Sequence, residues 1–236
     1  MRFFMKTVNV DTMTFQLPFT IAFHEVEHFI QFQQPIKLKH ISSNEDSYTK
    51  THILAIGDKA KIKIQLHRAS KKTKIEFYGL YQYTESGSPL NELEAALVII
   101  EELLKTFNKP LQLTRVDLAF DTQENILTSA KPKLQLFANI SYRFHPKNIK
   151  TFHENLKITG ISFNKAFHRF KLTAYDKAYK NSLAIPLYRI ELTVKEKHRK
   201  PVPITEPLDI NSYLKLIEFE FEEKLGNTFK PYKIFH

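Results

Sequence analysis

Three short runs carry side chains able to handle a phosphodiester. "RVDLAFD" (115–121) holds Arg115, Asp117 and Asp121; "FKLTAYDKAYK" (170–180) holds Lys171, Tyr175, Lys177 and Tyr179; "LYRIELTVK" (187–195) holds Arg189 and Glu191. Each alternates apolar and polar residues, and a strand sends successive side chains to opposite faces. Val116, Leu118 and Phe120 therefore separate from Arg115, Asp117 and Asp121. Ile190, Leu192 and Val194 separate from Arg189, Glu191 and Thr193, and Phe170, Leu172 and Ala174 from Arg169, Lys171 and Tyr175. If the strands are neighbours, two aspartates, a glutamate, a tyrosine and several cations share one surface. The plain alternative is the solvated face that an antiparallel sheet shows to water. Aspartate is disfavoured inside strands, yet Asp117 stands mid-run, as Glu191 does in its own; this weighs toward chemistry.

Carboxylate oxygens of this kind suit Mg²⁺ or Mn²⁺. On a basic surface such an ion withdraws charge from a phosphate oxygen in the transition state. A free tyrosine is ionised to about one part in a thousand at pH 7. A polarised phosphate, a carboxylate to take the proton and a nearby Lys177 would together make Tyr175 a workable nucleophile. Tyr179, with Lys180 beside it, is a second candidate.

The elements that must position these groups are mostly strands. "AKIKIQLHR" (60–68) and "KTKIEFYGLYQY" (72–83) flank "ASKK" as a hairpin, and 111–121, 169–175 and 187–195 alternate likewise. A helix is expected over 88–108, opening at Ser88–Pro89, and another over 209–227, opening on Asp209 and stopping at Gly226. The charged, proline-rich 196–208 reads as a connector. No internal repeat or low-complexity tract is visible. Dominant strands with helices inserted irregularly predict an α+β, largely antiparallel fold in a single domain over 1–236.

The chain of 236 residues has 20 Phe, no Trp and no Cys. It can bury a sizeable core. The absence of cysteine excludes disulfides, thiolate–zinc sites and cysteine nucleophiles and fits a reducing compartment. Neither a signal peptide nor a membrane span is apparent, so a cytoplasmic protein without a membrane partner is expected. A formal net charge of +10 suggests a polyanion, nucleic acid before an anionic membrane surface.

With "TRVDLAFDT", "AYDK" and "YRIELTVK" in that order after a helix, residues 90–197 resemble the replication initiation factor family. That family comprises rolling-circle Rep proteins of plasmids, filamentous-phage initiators and related conjugative relaxases. The resemblance implies a Rep-like catalytic core of the HUH-nickase kind. It implies a site-specific nickase and strand transferase that starts rolling-circle replication of a plasmid or phage-like element. Its tyrosine attacks the origin strand, keeps the 5′-phosphate as phosphotyrosine and leaves a 3′-OH primer. On this reading Tyr175 is the nucleophile, with Lys177 and Tyr179 as further catalytic residues; Asp117, Glu191 and Asp121 hold Mg²⁺ or Mn²⁺. Arg115, Arg169, Lys171, Arg189 and His168 would meet the DNA, with Arg189 and Asp121 also supporting Asp117 and Glu191. Single-stranded or origin DNA is the expected partner, with a second copy of the chain and a host helicase as further candidates. The sequence lacks the family's Gly-Ser-Arg step, keeping only Gly160 ahead of the tyrosine. Tyr179 and Lys180 stand where a glutamate often follows, so Tyr179 stays open as the nucleophile or a second one. The competing class is a DNA-binding initiator or regulator without covalent chemistry.

Two other patterns could carry chemistry. "HEVEH" (24–28) has the letters of a zinc-protease helix, but its flanks make no long helix and no third ligand follows nearby. His145, His153 and His168 lie in basic runs, "RFHPKNIKTFHENLK" and "FNKAFHRFK", whose interleaved rings and cations suit single-stranded DNA or an aromatic core beside solvated lysines. With five glycines and no Walker-type loop, nucleotide cradling is not expected.

Overall fold

The computed structural model describes residues 8–17, 25, 28–29, 39–46, 49–67, 72–142, 149–155, 157–164, 169–196 and 201–230. In chain order the strands are β1 (Val8–Leu17), β2 (Lys39–Glu45), β3 (Thr49–Ile56), β4 (Ala60–His67), β5 (Lys72–Tyr78), β6 (Tyr81–Tyr83), β7 (Pro89–Asn91), β8 (Leu111–Thr122), β9 (Ile149–Glu154), β10 (Lys157–Asn164), β11 (Phe170–Asp176), β12 (Tyr188–Lys195) and β13 (Val202–Ile204). The helices are α1 (Leu93–Phe107), α2 (Lys131–Tyr142), α3 (Lys177–Asn181) and α4 (Pro207–Gly226). All pairings are antiparallel, so the expected α+β class with an antiparallel sheet is what forms.

Eleven strands make one sheet, ordered β2-β3-β4-β5-β1-β8-β12-β11-β10-β9, with β13 also on β8. Outward from the centre, one half runs β1, β5, β4, β3, β2; the other runs β8, β12, β11, β10, β9. The chain traces the same strand path twice, and the antiparallel β1–β8 join relates the halves by an approximate two-fold axis through the sheet. The sequence shows no repeat; the topology has one.

One face of the sheet is apolar. It carries Val8, Val10, Met13 and Phe15 of β1, Ile62 and Ile64 of β4, Val116, Leu118 and Phe120 of β8, and Leu172, Ile190 and Leu192. Over it lie Ile99, Ile100 and Leu103 of α1, Leu134 and Phe137 of α2, and Leu214, Ile217 and Phe221 of α4, all in one core. Removing each such side chain from water is worth about 1.5–3 kcal/mol. The alternation read from the sequence holds because this face is covered while the other stays polar.

Four expectations shift. The helix expected from Ser88 begins after Glu92, because Pro89–Asn91 pairs with Tyr81–Tyr83 instead. Strand β5 ends at Tyr78, where Gly79 takes φ +71° and turns the chain so that Leu80 N donates to Asp11 O at 3.0 Å. The connector at 196–208 contains β13, and the last helix opens earlier than Asp209. Pro207 sits in its first turn, and Asp209 closes a capping box with Glu206.

Candidate active-site cleft

Register places the candidate side chains. Tyr175 lies opposite Arg189 and Thr173 opposite Glu191, so Tyr175 and Glu191 are diagonal neighbours across β11 and β12. Glu191 lies opposite Ala119 and Thr193 opposite Asp117, so Glu191 and Asp117 are diagonal across β12 and β8. Diagonal pairs on one face lie within reach of long side chains. Asp117, Glu191 and Tyr175 thus form a line over three adjacent strands, and Tyr175 Oη donates a long hydrogen bond of 3.4 Å to Glu191 Oε2.

Tyr175 and Glu191 border a cleft of about 790 Å³, walled also by Phe152, Glu154, Lys171, Tyr179 and Lys180. Lys180 Nζ lies 4.8 Å from the centre of the Tyr175 ring. Gly160 is directly across from Tyr175. A Cβ there would fall 3.2 Å from Ala174 O and 3.4 Å from Tyr175 Cβ, so glycine lets β10 lie close against β11 at the base of the tyrosine.

Burial pushes the Tyr175 phenol well above its ordinary value, with the Arg189 charge opposing and Glu191 reinforcing. Burial also raises Glu191, to about 7, with Asp117 and Asp11 adding their repulsion. Asp117 is raised too, again first by burial, although Arg115 and Thr193 pull the other way. Arg115 grips Asp117 through both oxygens, Nε to Oδ1 at 2.8 Å and Nη2 to Oδ2. At neutral pH Tyr175 is therefore a neutral donor facing a carboxylate near its midpoint.

Beside this line lies a buried ionic network. Arg189 is wholly buried; Nε and Nη2 donate to the Asp121 oxygens at 2.7 and 2.8 Å, Nη1 to Asp11 Oδ1 at 3.0 Å, and Nη2 to Tyr81 O at 3.1 Å. Tyr83 Oη donates to Asp121 Oδ2 at 2.7 Å. Gln82 donates to Asp11 Oδ1 at 2.7 Å and accepts from Lys177 Nζ at 2.6 Å. Burial, helped by the Arg189 charge, lowers Lys177 to about 7. Asp11 reaches the network from a bulge in β1, between the Val10–Leu118 and Thr12–Asp117 pairs, and bulges re-aim side chains in this way.

The expected residues thus divide. Tyr175, Glu191 and Asp117 come together, and Lys171 lines the cleft. Asp121 has its oxygens taken by Arg189 and Tyr83. Arg189, expected on DNA, spends its donors inside the protein, because its charge is needed by Asp121 and Asp11. Lys177, expected to support the phenol, is buried against Gln82. Arg115 serves Asp117, and Arg169 binds Glu196 while stacking on Phe170, its guanidinium carbon 5.1 Å from the ring centre. Tyr179 stands at the rim, 45% exposed, next to Glu154 and with Lys157 Nζ 5.5 Å from its ring centre. Its backbone N–H donates to Asp176, the N-cap of α3. His153 is exposed on β9; His24, His145 and His168 lie outside the described residues, so the "HEVEH" pattern stays a sequence observation.

Among the described residues no three His, Asp or Glu side chains form a metal cage by themselves. Asp117 and Glu191 are carboxylates of the type that Mg²⁺ or Mn²⁺ takes in ones or twos, but both Asp117 oxygens are held by Arg115, so an ion there would have to share or displace that guanidinium. Asp117 and Asp11 both add to the upward push of burial on Glu191, and a cation beside Glu191 would relieve that repulsion. Sequence reading missed Asp11, Tyr81, Gln82 and Tyr83. Asp11 carried the same signal as Asp117, an aspartate inside an alternating run ("VNVDTMTFQ").

No family model and no curated protein matches the sequence. The solved structure of a rolling-circle replication initiator protein from Geobacillus stearothermophilus is similar over 81% of this chain and 76% of that one, at TM-score 0.43 and 10% identity. No helix among the described residues is long and apolar enough to cross a membrane.

Proposed function

We propose that the chain is a DNA nickase and strand transferase that starts replication, with Tyr175 as its nucleophile. The observation that carries this reading is the Tyr175–Glu191 contact of 3.4 Å, in a cleft with lysines on its walls and Asp117 next along the polar face. Tyr175 Oη forms the new bond to phosphorus while the bond from phosphorus to the 3′ oxygen breaks. The phenolic proton passes to Glu191, the carboxylate already touching it, and the departing 3′ oxygen takes a proton from solvent water to leave as a hydroxyl. Reversal by a new 3′-OH rejoins the strand. Lys180, stacked on the ring, favours the phenolate as charge develops. Asp117 and Glu191 would hold the Mg²⁺ or Mn²⁺, which when bound withdraws charge from the phosphate. Arg189 acts through others, fixing β12 against β8 and β1 beside the line of reacting groups. Tyr179, paired with Glu154 at the rim, is given no nucleophilic role. The resemblance of 90–197 to replication initiation factors supplies the biological setting.

The test uses labelled random-sequence single-stranded DNA with Mn²⁺ and scores an SDS-resistant protein–DNA adduct. The adduct is expected with the parent and Tyr179→Phe chains and not with Tyr175→Phe. DNA binding without any adduct would leave a non-catalytic initiator or regulator.

A further inference from the structure

The two-fold relation gives every site position a counterpart. One row of directly paired residues across the polar face reads Lys61, Tyr78, Thr12, Asp117, Thr193, Lys171. It is symmetric about the Thr12–Asp117 join, with a lysine at each end. Counting along the strands from this row, Gln65 is the counterpart of Tyr175, Glu76 of Glu191, Thr12 of Asp117 and Lys74 of Arg189. The first half repeats the architecture without the phenol or the aspartate, so it cannot repeat the chemistry.

What it offers instead is positive charge. Lys61, Lys63 and Lys74 point from β4 and β5 to the polar face, half-exposed, with Lys72 exposed at the end of β5. The acid among them, Glu76, is taken by Lys74 at 3.1 Å and lies 3.9 Å from Arg115. Lys61 and Lys63 have no acidic partner among the described residues. From Lys61 to Lys171 is five strand spacings, about 24 Å, the length of roughly seven phosphates along a B-form strand. Strand pairing runs unbroken from these lysines to the tyrosine cleft, with the buried Thr12, Asp117 and Thr193 in the middle of the row.

We propose that the first half of the sheet is a sequence-independent platform for the DNA phosphate backbone, holding the strand that passes through the cleft of the second half. The inference rests on the nicking reading for the identity of the polyanion. The halves then divide the work, the first holding the strand and the second cutting it.

Binding is measured by fluorescence anisotropy of a labelled 30-nucleotide single strand at several salt concentrations, in a Tyr175→Phe background that removes the chemistry. Lys61→Ala/Lys63→Ala is expected to weaken binding roughly tenfold at physiological salt. The slope of log affinity against log salt should fall by about 1.4, two lost contacts of about 0.7 each. Lys133→Ala/Lys215→Ala, on helices of the opposite side, should leave both unchanged. Thermal melting of each variant checks folding, and Lys61→Gln/Lys63→Gln repeats the test if the alanine pair melts early. Equal affinity and slope in the lysine variants and the parent overturn the platform. Adduct formation by the parent chain is scored separately. An adduct with no lysine effect removes the platform alone, a lysine effect with no adduct removes the nickase alone, and no DNA binding removes both.

Discussion

The two halves of the sheet share a strand path and differ in where they keep charge. In the second half Arg189, Asp121 and Asp117 are buried and Glu191 is held near its midpoint. In the first half Lys74 and Glu76, the counterparts of Arg189 and Glu191, are half-exposed, Glu76 finds its cations at the surface, and the buried counterpart of Asp117 is the uncharged Thr12. A desolvated ionic network adds little to stability by itself, so its presence on one side only is best understood as positioning. The same scaffold serves chemistry where it buries charge and contact where it leaves charge wet.

The largest effect should come from the residue with no functional counterpart. Tyr175→Phe is expected to cut adduct formation roughly a thousandfold or more, measured as the rate of SDS-resistant adduct. Next is the network. Arg189→Met leaves Asp121 and Asp11 without their cation and should cost about 3–5 kcal/mol in urea unfolding. Lys74→Met, its counterpart, should change stability by less than about 0.5 kcal/mol. Equal losses at the two positions would erase the distinction between the halves.

Glu191 sharpens the comparison through pH. Its folded pKa is raised to about 7, so from the ordinary glutamate range up to that pH the folded chain keeps a proton that the unfolded chain releases. Stability is therefore lost as pH rises through this window. Glu191→Gln removes the penalty and should stabilise the metal-free protein by about 1–2 kcal/mol at pH 8 and by little at pH 5, while slowing adduct formation about a hundredfold. Glu76→Gln should instead weaken the fold slightly at both pH values, because it loses the contact with Lys74. The smallest effect is expected from Gln65→Tyr in a Tyr175→Phe background. It should restore no adduct and change stability within about 0.5 kcal/mol, since the first half has no aspartate where the second has Asp117.

Much of this was legible in the sequence, for reasons that can be named. The period of two in 60–67, 72–78, 111–121, 170–176 and 188–195 gave the strands because one face packs under helices. Asp117, Glu191 and Tyr175 were legible as one surface because each sits at a polar position of such a run. The DNA contact expected of Arg189 does not fit its burial, because alternation says which face a side chain takes, not whether another segment covers it. Tyr81 to Tyr83 do so here, and Arg189 keeps its expected place as a support beside the carboxylates. Strand β7 was hidden because Ser88–Pro89 resembles a helix start when its pairing partner is unknown. The duplication was invisible because a two-fold relation preserves backbone path and face, and the residues on the two faces have diverged, as Thr12 against Asp117 and Gln65 against Tyr175 show.

The β1–β8 join has a consequence for synthesis. The hydrogen bond from Thr114 to Thr14 O spans 100 residues of chain, so a strand buried on both sides in the finished protein has one edge unpaired until the second half leaves the ribosome. Until then β1 is a bare template for any passing strand. Non-local ladders of this length also close slowly, so aggregation during refolding should originate at β1.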